Sequence, residues 1–392
     1  MRVLWLTLLV AALPASASAQ QTSAPVTLAP DAEARWVTFD LTPGNQISFR
    51  MSVNGRPATA VLDTGVSFTV ASSEFARAAG LKLGAVGNAE AIGGRVPVTW
   101  ASVSALALGG LSRVGGRVAV TDLKAVATGG TKPVDLLVGA DLLNHAALDI
   151  DYDSRRFRLL PSGRMPFRGA SVPLSLARAS GIYLSEVTIG ARRLRPVIVD
   201  TGDGASVTVA PEAWAAAQLP ATRTTTALAY GLGGELITDL AVVPQLRLAT
   251  LTARNVEVRI EQNDAFSKRT GTAGRIGSGF LQRYRVLLDP RAGRMILTPG
   301  RLVDTAPLKS TSGLLVALDP RALRVLHVMR NSPAQAEGWR TGDRICAIDG
   351  QRVDASYAGS PLGAWTAGAP GRVVELGMCN GGERRLTLGA FY

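Results

Sequence analysis

The chain of 392 residues is poor in several residue types, and each shortage excludes a class of chemistry. It has two histidines, His145 and His327, and two cysteines, Cys346 and Cys379. Without a cluster of such ligands at metal-binding spacing, no zinc site is predicted, and the sequence calls for no cofactor. A serine hydrolase would need a histidine base and an acid placed for its nucleophile, and no Gly-x-Ser-x-Gly elbow occurs. Lysine is scarce too: Lys82, Lys124, Lys132, Lys268 and Lys309 are the only lysines among 42 basic residues. The arginines behind the net charge of +12 are scattered along the chain rather than gathered in patches, so no nucleic-acid partner is predicted. Past the first 19 residues no apolar run reaches the ~18 residues that span a bilayer, so no integral membrane segment is expected there.

The first residues form a separate signal. Met1-Arg2 carries one positive charge, Val3–Leu13 is a short apolar run, and Pro14 breaks it. Ala17-Ser18-Ala19 before Gln20 is a small-residue cleavage pattern, so residues 1–19 read as a secretory signal peptide and 20–36 as a linker. Export to the periplasm, or beyond the cell, follows. In an oxidising compartment Cys346 and Cys379 form one disulfide or stay as two buried thiols, and the sequence leaves both open.

What is present in quantity is an internal repeat. Ala58-Thr59-Ala60-Val61-Leu62-Asp63-Thr64-Gly65 returns as Arg195-Pro196-Val197-Ile198-Val199-Asp200-Thr201-Gly202. Leu136-Leu137-Val138-Gly139-Ala140-Asp141-Leu142-Leu143 returns as Gly274-Arg275-Ile276-Gly277-Ser278-Gly279-Phe280-Leu281. Gly139 follows Asp63 by 76 residues and Gly277 follows Asp200 by 77. Between these anchors each copy carries a Gly-rich tip in a strand-like stretch: Ile92-Gly93-Gly94 in the first, and Gly231-Leu232-Gly233-Gly234 in the second, just after Tyr230. Such tips between apolar strands predict β-hairpins, so each copy is a mainly β unit.

Each Asp follows a β-branched apolar run and precedes Thr-Gly. The run predicts a buried strand, and Gly65 or Gly202 allows a tight turn at its end. Thr64 and Thr201 can tie that turn down with their hydroxyls. A pseudo-twofold axis would bring the two carboxylates together, and carboxylates ~3 Å apart share one proton. One then acts as base toward a water while its protonated partner donates to a carbonyl.

The duplicated triplets, each followed by an apolar-apolar-Gly segment, resemble the pepsin and retropepsin class of aspartic proteases over about residues 37–300. The short repeats resemble the retroviral protease subunit, with two units fused as in predicted bacterial retropepsin-like proteins. The resemblance implies two β-barrel lobes, at 37–163 and 164–300, with catalytic Asp63 and Asp200. It also implies that the hairpins at Ile92, Gly93 and Gly94, and at Tyr230, Gly233 and Gly234, are substrate-binding flaps. Tyr230 reads equally as a packed strand tyrosine. Two positions depart from the family: Val66, which offers no hydrogen bond, and Asp203, a third acid. Asp203 either turns inward and raises the dyad's proton affinity or, the favoured reading, points to solvent or caps the turn with Gly204.

From about residue 308 the pattern changes. Leu314–Leu318 and Val325–Met329 read as two strands, followed by Ser332-Pro333-Ala334, Gly342-Asp343 and Ile345-Cys346-Ala347-Ile348-Asp349-Gly350. This series resembles a protease-associated PDZ domain at 308–392. The resemblance implies a peptide C-terminus held by backbone amides near Ser312-Gly313-Leu314, with Leu315 and Ala317 lining a groove against a short helix around Leu362–Thr366. A degenerate fold that docks on the lobes and takes no free peptide is the alternative. The reading as a whole is an exported aspartic endopeptidase acting on proteins or peptides, and its rival is a non-catalytic envelope scaffold on the same fold.

Overall fold

The structure is a computed structural model that describes residues 25–127, 133–219, 222–262, 265–357 and 360–392. The predicted signal peptide lies outside the described residues. The fold is mainly β, and its strands follow the patterns that predict them. Ile47–Val53 alternates inward and outward residues, as a half-buried antiparallel strand must. Arg56–Leu62 begins exposed and ends fully buried, which carries its last residue, and the Asp63 after it, into the interior.

The two copies pair their strands in the same way. Arg56–Leu62 lies parallel to Leu136–Val138, which in turn runs antiparallel to Val70–Ser72. In the second copy Arg192–Asp200 lies parallel to Gly274–Gly277, with Val207–Val209 antiparallel on the far side. Short helices, Ala140–Leu143 and Ser278–Leu281, follow the two inner strands. The copies meet where Ala147–Asp151 pairs antiparallel with Tyr284–Asp289, flanked symmetrically by Arg156–Leu160 and Arg294–Pro299. One core of buried apolar side chains runs through both copies. At their seam Asp149 is fully buried and is neutralised by Arg158 at 2.9 Å and Arg285 at 3.0 Å, one guanidinium from each copy. A buried carboxylate without such partners would be strongly destabilising.

The predicted flaps are hairpins with two-residue turns. Leu83–Ala91 pairs with Gly94–Ser102, and Thr225–Gly231 pairs with Gly234–Leu248. The segment read as a linker differs from expectation in its described part. Val26–Leu28 adds a strand to Leu111–Val114, and Ala32 is buried against the Gly109-Gly110 turn, where a Cβ at position 110 would crowd Ala32 at 3.1 Å on a backbone with φ of 91°. Trp36, its last residue, stacks under the guanidinium groups of both Arg156 and Arg158.

The third module has its own core, including Leu323, Ile345, Trp365, Val374 and Leu386. Its sheet runs in the order Leu314–Asp319, Ala322–Val328, Arg344–Ile348, Val373–Met378, Glu383–Thr387. The cysteines are joined: Cys346 and Cys379 form a disulfide across two neighbouring strand regions. The helix expected around Leu362–Thr366 is a 3-10 segment, Pro361–Ala367. Among the described residues, no helix is long and apolar enough to cross a membrane.

Candidate active site

The two triplets meet at the centre of the paired copies. Thr64 Oγ1 donates to the carbonyl of Val199 at 2.6 Å and accepts from the amide of Thr201 at 3.1 Å. Thr201 Oγ1 donates to the carbonyl of Leu62 at 2.8 Å and accepts from the amide of Thr64 at 3.1 Å. Both threonines are wholly buried. The hydroxyls therefore tie each loop to the opposite copy rather than to itself, and the two carboxylates inherit the rigidity of both strands.

Asp63 Oδ1 accepts from the Gly65 amide at 3.0 Å. Asp200 Oδ1 accepts from the amides of Gly202 and Asp203, each at 3.0 Å. The triplet glycines are needed for approach rather than for an unusual backbone angle. A Cβ on Gly65 would overlap the Asp200 carboxylate, and one on Gly202 would overlap that of Asp63. Each carboxylate thus packs against the opposite copy's triplet, and the two side chains feel each other's charge. Burial, and then the charge of Asp200, hold Asp63 well above the usual carboxylate range. Burial, and then the Asp203 charge, push Asp200 up to about 6, while Arg275 pulls in the other direction. Both carboxyls are raised, so the pair resists losing its second proton, and the direction of the shifts favours Asp63 as its holder.

Asp203 does not point to solvent. Its Oδ1 accepts from the Ala205 amide at 2.9 Å, which is the turn cap expected of it, and its Oδ2 meets Arg275 Nε at 3.0 Å. Arg275 is buried and also binds Glu261 at 2.5 Å, with its guanidinium over the Phe266 ring. An inward acid is tolerated here because this arginine is waiting for it. The repeat alignment puts Arg275 where the first copy has Leu137. A charged residue at a buried strand position was therefore visible in the sequence, but its partner Glu261 was not.

Sequence reasoning also missed the loop Thr42–Gln46. Asn45 Nδ2 donates to the Gly204 carbonyl at 3.1 Å and Gln46 Nε2 to the Gly202 carbonyl at 3.0 Å. These polar residues gave no local signal, because their partners lie more than 150 positions away in the chain.

The hairpin tips close over the dyad and touch each other. The Gly233 amide donates to the Ile92 carbonyl at 2.9 Å, and the backbones of Gly93 and Gly233 abut so closely that neither tolerates a side chain. Gly94 and Gly234 complete the turns with positive φ of 138° and 113°. Asp63, Asp200, Ile92, Tyr230, Gly231, Val66, Leu137 and Arg275 line one cleft beneath these tips. Tyr230 is half exposed at its edge and opposite Glu235 in the hairpin.

The three residues expected to take a peptide terminus lie apart from this cleft, in the third module. Gly313 has φ of 80°, and a side chain there would overlap Ser332. Its amide donates to Ser310 Oγ at 2.9 Å, and that of Leu314 donates to Ser312 Oγ at 3.0 Å. The amides of Thr311 and Ser312 both reach the Thr366 carbonyl. Leu314 is buried in the module's core, whereas Leu315 is exposed.

A family model described as aspartyl protease matches residues 49–142. That span holds the first triplet, the first hairpin tip and all but the last residue of the Leu136–Leu143 segment, and it stops before the second copy. No curated protein matches the chain. The match supports hydrolase character at the level of the family, and the geometry above is the basis for anything finer.

Proposed function

We propose that this chain is an exported aspartic endopeptidase with two fused retropepsin-like lobes, Asp63 and Asp200 as its catalytic pair, and a PDZ-like third module. One observation carries the reading: two carboxylates, each packed against the opposite copy's triplet glycine, sit at the ends of twofold-related strands, locked by reciprocal threonine bonds, beneath two hairpins that meet above them.

The chemistry follows from the unequal protonation. A water between the carboxylates loses a proton to ionised Asp200 as its oxygen attacks the peptide carbonyl carbon. Asp63 gives its proton to the carbonyl oxygen, producing a neutral gem-diol. Asp200 then returns its proton to the departing nitrogen, the C–N bond breaks, and Asp63 recovers its proton as the carboxylic acid product forms. The closed hairpins hold the extended substrate and keep bulk water out.

Export is supported by the leader pattern at 1–19 and by the disulfide. Recruitment of extended chains by the third module is supported by the strand Leu314–Asp319, which lies at the end of its sheet. Because the loop amides already have partners, an internal extended segment suits this edge better than a chain terminus.

The test is a cleavage screen with proteome-derived peptides, comparing wild type with Asp63→Asn and with Asp200→Asn. Each variant should lose at least ~10³-fold in turnover while keeping the wild-type circular dichroism spectrum. Full turnover in either one overturns the dyad assignment. Peptide binding without cleavage by the wild type, from acid to mildly alkaline pH, would favour the scaffold reading instead.

A further inference from the structure

The third module grips the second flap. At the cross-strand pair Thr226 and Asp239, Thr226 Oγ1 accepts from the Arg330 amide at 3.0 Å and lies 2.8 Å from His327 Nε2. Thr225 Oγ1 donates to the Arg330 carbonyl at 2.6 Å, and Thr225 is fully buried by the contact. The Arg330 guanidinium reaches across the hairpin to Asp239 at 3.2 Å and to Thr224 Oγ1 at 3.4 Å. One residue of the module thus holds both strands of the flap by main chain and side chain together.

These contacts lie only six residues (Asp239) and seven residues (Thr226) from Gly233, which binds the first flap at Ile92. The hairpin is a stiff two-stranded lever between these two attachments. If its base is held, its tip is held too, and with it the closed arrangement over the dyad. The Asp239 and Arg330 side chains are only partly exposed, so their pairing is less screened than an ordinary surface ion pair.

We infer that the third module is a clamp on the flap Thr225–Leu248, with Arg330 as the positioning residue that sets how long the cleft stays closed on substrate. This deepens the protease reading and rests on it for its consequence, but the clamp itself is measurable without catalysis. Loosening Arg330 shifts the flap toward open forms. An open flap loses its contacts to bound peptide, while the dyad and its threonine lock are untouched, so the cost falls on KM rather than on kcat.

The experiment is hydrogen–deuterium exchange on the full chain, followed by peptide kinetics, for Arg330→Ala, Arg330→Lys, Thr226→Val and the Arg330→Ala/Thr226→Val double variant. Exchange over residues 225–240 should quicken about three- to ten-fold in Arg330→Ala and in Thr226→Val, as expected for losing one or two hydrogen bonds. Arg330→Lys should recover part of that change by keeping the charge opposite Asp239. The double variant should show less than the product of the single effects, since both act on one contact. Exchange at Arg344–Ile348 and Val373–Met378, inside the module, serves as the control for its folding. If Arg330→Ala disturbs those strands, Thr226→Val, which lies outside the module, decides. Wild-type exchange at 225–240 in Thr226→Val, or an equal loss in kcat and kcat/KM with KM unchanged, overturns the clamp. Altered exchange without any peptidase activity in the wild type would leave the clamp standing and remove the protease reading.

Discussion

The two repeats share a backbone plan, but they surround their aspartates with different matter. Behind Asp63 stand Val66 and Leu137, both apolar; behind Asp200 stand Asp203 and Arg275, with Glu261 beyond. Duplication supplies a symmetric site, yet the reaction proposed for it needs an acid and a base, which are different things. Here the difference is supplied by the second repeat. Its arginine favours a negative charge on Asp200, whereas Asp63, in apolar surroundings, has only the Gly65 amide to support one. The comparison teaches that geometry came from the repeat and chemistry from its divergence.

The largest effect is expected from breaking that divergence at Arg275. Arg275→Leu copies the first repeat but leaves Asp203 and Glu261 buried without their cation. Removing one partner of a buried ionic cluster costs about 3–5 kcal/mol, so the urea midpoint should fall sharply. Replacing all three groups, with Asp203→Val, Glu261→Gln and Arg275→Leu, should return most of that stability, because no charge is then stranded. If Arg275→Leu alone unfolds at the wild-type urea concentration, the buried cluster has been misread.

A second test uses protons to compare the aspartates. Asp200 titrates at about 6 in the folded chain against an ordinary 3.8. A raised carboxyl stabilises the fold below its unfolded value, and that contribution is lost as pH rises through the folded value. The wild type should therefore lose on the order of 3 kcal/mol between about pH 4 and pH 6.5 relative to Asp200→Asn, which carries no such charge. Chemical denaturation of both proteins across that window measures it. A gap between them that does not change with pH would break the assignment of Asp200 as the ionised partner's site.

Much of this was legible in the sequence. The repeat announced itself through Asp63 and Asp200, and through Gly139 and Gly277, since chain-local motifs at matched spacing need no knowledge of the fold. The hairpin tips at Gly93 and Gly233 were legible for the same reason. Asp203 was harder: its spacing showed an extra acid near the dyad, but its direction depended on Arg275 and Glu261, the latter 58 positions downstream in another strand. The clamp between Thr226 and Arg330 was out of reach, because nothing in either segment marks it as a partner for the other. The disulfide lay between these cases, as composition permitted it and only the strand positions could close it.

The smallest effect separates the loops that brace the two copies. In the first, Thr42–Gln46 reaches over the axis, and Gln46 holds the Gly202 carbonyl in the Asp200 loop. In the second, the matching turn at 177–182 instead meets Asn144, whose Nδ2 donates to the Gly181 carbonyl at 2.9 Å just past the helix Ala140–Leu143. Asn144 gives one hydrogen bond between side chain and backbone, whereas Gln46 also accepts from Thr42 Oγ1 at 3.0 Å, so Asn144→Ala should cost about 1 kcal/mol of stability and Gln46→Ala somewhat more, about 1–2 kcal/mol. Their effects on turnover should differ. The Gly202 carbonyl belongs to the loop whose amides hold Asp200, so Gln46→Ala frees that loop and should lower kcat by roughly three- to ten-fold, the rate equivalent of one such bond. Asn144→Ala should leave kcat within about two-fold of wild type, because its partner does not touch either triplet. Equal losses of turnover would mean that the brace acts on the whole seam between the copies rather than on the Asp200 loop.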